Sequence, residues 1–217
     1  MKRMRIAAAV VAAAGVASLS TAADTVVYSD GPGDVSGGSF SAVTGDNGSF
    51  MTFCLEYNEN LDIKGGTVYE YDVSTYATFN GQGLGFQDPL DSRTAFIYQN
   101  FRDGEIRNIL GDQSLTDTQL ANAIQIAIWE VEQENVDWSF HADYANAQAL
   151  IAAAQDAINN QQWSGLGNVR VMNVWAQGQS GTVDGARQDT LIIVPLPTTA
   201  GLAGLGLLGL TSIRRRR

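Results

Sequence analysis

One cysteine and one histidine make this chain poor in the residues that build disulfide frameworks and Cys/His metal clusters. The single cysteine, Cys54, has no partner for an intramolecular disulfide. The single histidine, His141, has no Cys/His cluster around it and reads as a surface residue beside Phe140, not as a metal ligand. No Gly-rich loop ending in Lys-Ser/Thr follows a strand, so a phosphate-cradling loop is excluded, and Gly81-Gln-Gly-Leu-Gly85 reads as a flexible loop. No residue pattern calls for a cofactor. Positive charge is scarce as well. Lys2, Arg3, Arg5 and Arg214 to Arg217 all lie at the two ends, leaving six cations against 23 carboxylates between them, a net −17. Such a body repels nucleic acid and anionic lipid. The carboxylates include no pair whose sequence setting demands acid/base work. The two acids of a glycosidase need not be close in sequence, so a secreted hydrolase stays open as an alternative.

The two ends separate from the rest. Lys2, Arg3 and Arg5 precede an apolar run, Ile6 to Leu19, which leads into the small residues Ser20-Thr21-Ala22-Ala23. That is the layout of a secretory signal peptide, with cleavage expected after Ala23. At the other end, Val194-Pro195-Leu196-Pro197 opens an uncharged stretch, Thr198 to Ile213, closed by Arg214, Arg215, Arg216 and Arg217. The stretch is shorter than the ~20 residues of a full membrane span, and the arginines mark the cytoplasmic end of an inserted tail. The expected organisation is a signal peptide over 1–23, one domain over 24–194 and a C-terminal sorting signal over 195–217. The middle segment is long enough for one core and short for two.

The tail resembles the PEP-CTERM sorting signals, in the variant that reads Val-Pro-Leu-Pro. Leu196 stands where the commonest form has Glu, and Thr198 where the variant usually has Ala. The resemblance implies recognition near Pro195, Leu196 and Pro197 by an exosortase after signal peptidase has acted. It also implies a Gram-negative bacterium, a precursor held in the inner membrane by its C-terminal segment, and a product at the cell surface or in a biofilm matrix.

Along the body, strands are expected at Thr25 to Tyr28, near Ser39 to Val43, at Phe50 to Tyr57 and at Thr67 to Tyr76, the last on strict period-2 alternation. Helical signals follow. Asp91-Ser92 can cap a helix through Phe101 that Gly104 ends. Thr116 and Gln119 have capping-box spacing, and Leu120, Ala123, Ile124, Ala127, Ile128 and Val131 recur on one helical face. An Ala-rich third helix is expected over Asp143 to Gln162. Strands return at Val169 to Trp175 and Arg187 to Val194, with a polar turn at Gly178 to Gly185 between them. The order strands, helices, strands reads as α+β: a small antiparallel sheet or sandwich with an inserted segment of about three helices.

Three short motifs remain. Phe53-Cys54-Leu55-Glu56 carries the lone thiol. Ile124-Gln125-Ile126-Ala127-Ile128-Trp129 lies on the strongest helix, with Gln125 beside its apolar face. Arg187-Gln188-Asp189-Thr190-Leu191-Ile192 opens the last strand. A buried free cysteine often serves only as a small hydrophobe, so an inert structural protein is the plain reading of Cys54. Together, however, the motifs resemble those of the thioester domains of bacterial surface adhesins, the TQXA group, whose hallmarks are aromatic-Cys-apolar-polar, Thr-Gln-x-Ala-apolar-Trp and a late Gln-polar-apolar motif. Ile124 stands where that group has Thr, and Arg187 where an apolar residue is usual. The resemblance implies an internal thioester between Cys54 and Gln188, with Gln125 and Trp129 shaping the site or Gln125 as the alternative bonded residue. A thiol would displace ammonia from a glutamine carboxamide, given attack distance and exclusion of water. A target amine outside the cell would then take the acyl group once, without turnover. The expectation is therefore an adhesive surface protein and not an enzyme.

Overall fold

The computed structural model describes residues 23–35, 38–79, 87–134 and 136–194. The signal-peptide and sorting-signal segments, the motif residues Pro195, Leu196, Pro197 and Arg214 to Arg217, and the loop at Gly81 to Gly85 lie outside the described residues. Among the described residues no helix is long and apolar enough to cross a membrane.

Strands β1 (Asp24–Asp30), β2 (Ser39–Thr44), β3 (Gly48–Phe53) and β4 (Val68–Ser74) come first. A small two-stranded sheet follows, from β5 (Tyr76–Ala77) and β6 (Asp88–Pro89). Helices α1 (Ser92–Arg102), α2 (Ile106–Leu110), α3 (Asp117–Val131) and α4 (Tyr144–Asn159) form the insertion, and β7 (Val169–Ala176) and β8 (Ala186–Ile193) follow. The fold is α+β, as the segment order implies. Among the described residues the insertion holds four α-helices where three are legible in the sequence. The extra one, α2, is a five-residue helix with one buried residue, Ile106, too short to show a periodic face.

The main sheet runs β3-β2-β1-β4-β7-β8, and every neighbouring pair is antiparallel. Alternation places Val26 and Tyr28 of β1 on the buried face, and register sets Val26 opposite both Thr44 and Tyr69 and Tyr28 opposite Ala42. One face of β1 and β4 meets solvent, whereas β7 and β8 are buried through most of their length. β7 is covered by α1 and β5, and at β8 the two edge strands of the sheet meet. Cys54, just past β3, forms an isolated antiparallel bridge with Thr190 of β8. Leu55 N–H donates to the Asp189 carbonyl at 2.9 Å. Thr52 Oγ1 donates to the Leu191 carbonyl at 2.6 Å and accepts the Leu191 N–H at 3.0 Å. The closure satisfies backbone groups that an open edge would leave unpaired. Tyr98 of α1 covers the seam from outside, its hydroxyl 3.0 Å from both the Met51 and Leu191 carbonyls.

Helix α3 is the hub of the insertion. Thr116 caps it and the Gln119 side chain returns the bond, so the full capping box is present. The sequence suggests an amphipathic helix with Gln125 beside its apolar face. In the structure nearly every residue from Leu120 to Val131 is buried, Glu130 alone excepted. Packing against α1, α4 and β2 covers this stretch of the helix on nearly every side.

Candidate functional site

The seam is where the three sequence motifs meet. Cys54 is 1% exposed, Gln125 0% and Gln188 2%. The backbone explains how the first two come together. In the bridge with Thr190, the flanking residues carry the inter-strand bonds, so the N–H and C=O of Cys54 point away from β8. On that side β2 has ended, because its last pair is Ser39 with Phe53. Gln125 supplies the missing partner. Cys54 N–H donates to Gln125 Oε1 at 2.9 Å, and Gln125 Nε2 donates to the Cys54 carbonyl at 2.9 Å. One carboxamide carries the donor and acceptor of a peptide group, so α3 extends the ladder by a single residue.

Gln188 approaches from β8. Its Nε2 donates to the Glu56 carbonyl at 2.6 Å and to the Asp189 carbonyl at 3.2 Å. Both partners are carbonyls and only accept, which fixes the nitrogen toward them. Cys54 and Gln188 line one cavity of about 530 Å³, whose wall also includes Trp129, Tyr57 and Glu59. Trp129 is 1% exposed. The Tyr57 ring stands perpendicular to it at 5.1 Å, and the Trp138 ring stacks on it at 5.3 Å. A second cavity, of about 630 Å³, lies across the 58–61 loop and is lined by Arg187, Tyr69 and Phe79. Neighbouring residues of β8, Arg187 and Gln188, thus serve different cavities.

The electrostatics are those of a buried acidic site. Burial pushes the Cys54 thiol well above its ordinary range, and the nearby charge of Glu59 adds to this. Glu56 is 1% exposed, and no hydrogen bond reaches either carboxyl oxygen. Burial first, then the neighbouring Glu134 carboxylate, hold its carboxyl protonated at neutral pH. Burial also raises the carboxyl of Asp189, against the Val174 N–H that Oδ1 accepts at 3.0 Å.

His141 differs from its surface reading. Its side chain is 19% exposed, and Nδ1 accepts the Asp143 N–H at 3.1 Å just before α4. The short polar segment between Trp138 and α4 folds back on itself and draws the ring in. Among the described residues, no group of three His, Cys, Asp or Glu side chains could hold a metal ion. Sequence reasoning passed over Glu59. The available signal was a polar run, Asn58-Glu59-Asn60, directly after the cysteine motif.

Comparison of the chain with protein-family models, with curated proteins and with solved structures gives no match. The functional reading therefore rests on the motifs and on the geometry of the seam.

Proposed function

We propose that this chain is an exported, surface-sorted protein whose body stores an acyl group as a thioester between the Cys54 sulfur and the Gln188 side chain, for covalent or adhesive attachment to an amine-bearing target outside the cell. The observation that carries the reading is the shared cavity of Cys54 and Gln188 at the seam. Three features support it. The Gln188 nitrogen, which would leave as ammonia, is held by two carbonyl acceptors that stabilise it as it gains a proton. The buried Trp129 ring, with the Tyr57 ring packed edge-on against it, covers one wall of the site. Gln125 has both polar atoms of its carboxamide committed to the Cys54 backbone, which favours Gln188 over Gln125 as the bonded residue. The chemistry runs once per molecule, so the protein acts as an adhesin and not as an enzyme. The signal-peptide pattern and the Val-Pro-Leu-Pro tail support secretion, processing by signal peptidase and exosortase, and delivery to the cell surface.

Intact mass of the purified chain tests the bond. The expected species is lighter by one ammonia, and the deficit disappears in Cys54→Ser. Full mass, with a thiol alkylated on unfolding, sinks the proposal. The second reading is an inert envelope or matrix protein of the same fold. It is favoured by the near-complete burial of Cys54, and it requires that full mass.

A further inference from the structure

Helix α3 carries a second buried amide, Asn122, three residues before Gln125 and so on the same helical face. It is 2% exposed, and both of its polar atoms are in use. Its Oδ1 accepts the Asp34 N–H at 2.9 Å and the Val35 N–H at 3.5 Å. Its Nδ2 donates to Asp34 Oδ1 at 2.6 Å and to Asp143 Oδ2, just before α4, at 3.0 Å. One side chain thus joins the connection after β1 to α3 and α4. Gly33 lets the connection come this close. Its φ is +119°, and a Cβ there would stand 3.3 Å from Asn122 Oδ1. Gly33 and Val35 also line the cavity that holds Cys54 and Gln188. Other walls of that cavity belong to regular structure: Phe40 lies in β2, Gln188 in β8 and Trp129 in α3. Residues 33–35 lie in no strand or helix. Among the described residues, their hydrogen bonds to the rest of the chain run through Asn122. His141 Nε2 adds a looser contact, 3.7 Å from Asp34 Oδ1.

Resting on the thioester reading above for what enters the cavity, we propose that Asn122 is a positioning residue: it latches the 33–35 segment as a movable wall and so sets how readily a solute reaches the Cys54 sulfur. With the segment seated on α3, the sulfur is shut in. When the Asp34 and Val35 N–H groups leave Asn122 Oδ1, the wall swings off α3 and an amine enters on that side. Opening breaks a few hydrogen bonds and leaves the sheet ladders intact, so it is a local event, far cheaper than global unfolding. No covalent bond changes in this step. Asn122 and Gln125 divide one task along α3: Gln125 fixes the cysteine backbone, and Asn122 fixes one wall of its cavity.

Access to the sulfur is read as the rate at which iodoacetamide alkylates Cys54 in the folded full chain. A Gln188→Leu background keeps the thiol free whether or not the thioester forms. Hydrogen exchange at the Asp34 and Val35 amides is followed in the chain with Gln188 intact. Asn122→Leu should speed alkylation about 10-fold or more and strip protection from both amides. The faster reaction should depend little on urea, because a local opening exposes little surface. Gly33→Ala, which pushes the segment off Asn122, should act in the same way. Thr116→Ala, which weakens the far end of α3, should not. Alkylation at the unsubstituted rate in a folded Asn122→Leu overturns the latch. So does an increase that follows global unfolding in urea, or an equal increase in Thr116→Ala. If Asn122→Leu does not fold, an unchanged rate in Gly33→Ala overturns it. Unprotected Asp34 and Val35 amides in the wild type overturn it whatever the variants do. Absence of ammonia loss from the wild type overturns the thioester reading and leaves the latch standing.

Discussion

Two buried glutamines meet the cysteine segment in different ways, Gln125 on the Cys54 backbone and Gln188 on the Glu56 carbonyl. Gln125, on α3, is locked by both polar atoms onto the Cys54 backbone. It behaves as one more residue of a β-ladder. Gln188, on β8, is held through its nitrogen alone, and it faces a cavity shared with the thiol. The same side chain has donor and acceptor both committed to one backbone residue in the first case, and its nitrogen held by two carbonyls in the second. Residue type does not distinguish them; the partners do.

The sharpest way to break that comparison is to remove each carboxamide in turn. Gln188→Leu is expected to abolish the ammonia deficit in the intact mass completely. If the deficit survives in Gln188→Leu and vanishes in a folded Gln125→Leu, the roles are reversed. The largest effect on stability should come from Gln125→Leu. It leaves the N–H and C=O of Cys54 buried without partners, at about 1–3 kcal/mol for each, so thermal or urea unfolding should show a loss of about 2–6 kcal/mol. A loss below about 1 kcal/mol would mean that water or a neighbour replaces the carboxamide.

A third experiment asks whether buried carboxyls away from the seam follow the logic seen at Glu56. Glu132 accepts the Asp91 N–H at the start of α1, and burial holds its carboxyl up at about 8 against an ordinary 4.5. Between those values the unfolded chain has released its proton and the folded chain has kept it. The stability tied to the neutral carboxyl is therefore whole below the ordinary value and is lost as pH rises toward 8, at about 1.4 kcal/mol per pH unit. Glu132→Gln should flatten the melting-temperature profile over that window, and an unchanged slope would remove Glu132 from the account. The smallest expected effect is Thr116→Ala, which removes the α3 cap at about 1 kcal/mol and should leave the ammonia deficit intact. Loss of the deficit there would show that the site depends on the far end of α3, not on Gln125 alone.

Much of this protein was legible in its residues. Alternation located β4, turn-bounded apolar runs located β7 and β8, and Thr116 with Gln119 marked the start of α3. These signals work because strand pleat, helix period and helix caps are satisfied within a few residues of chain. The resemblance of three short motifs to those of thioester domains pointed to Cys54, Gln125 and Gln188 together. The sequence could not show α2, whose five residues are too few for a period, or the folded-in position of His141.

What only the tertiary structure decided is the seam. Whether β3 and β8 close on each other depends on the accumulated curvature of the sheet. Gln125 reaches Cys54 across 71 residues and Gln188 reaches Glu56 across 132. No local pattern encodes such distances. The same holds for Glu59, an ordinary acid in a polar run until the fold sets it in a cavity wall with a thiol. The chain by itself named a cysteine and two glutamines, because residue types and short spacings are written in one dimension. That Gln125 braces the Cys54 backbone while Gln188 binds the Glu56 carbonyl follows from where the meeting sheet edges leave backbone groups unpaired.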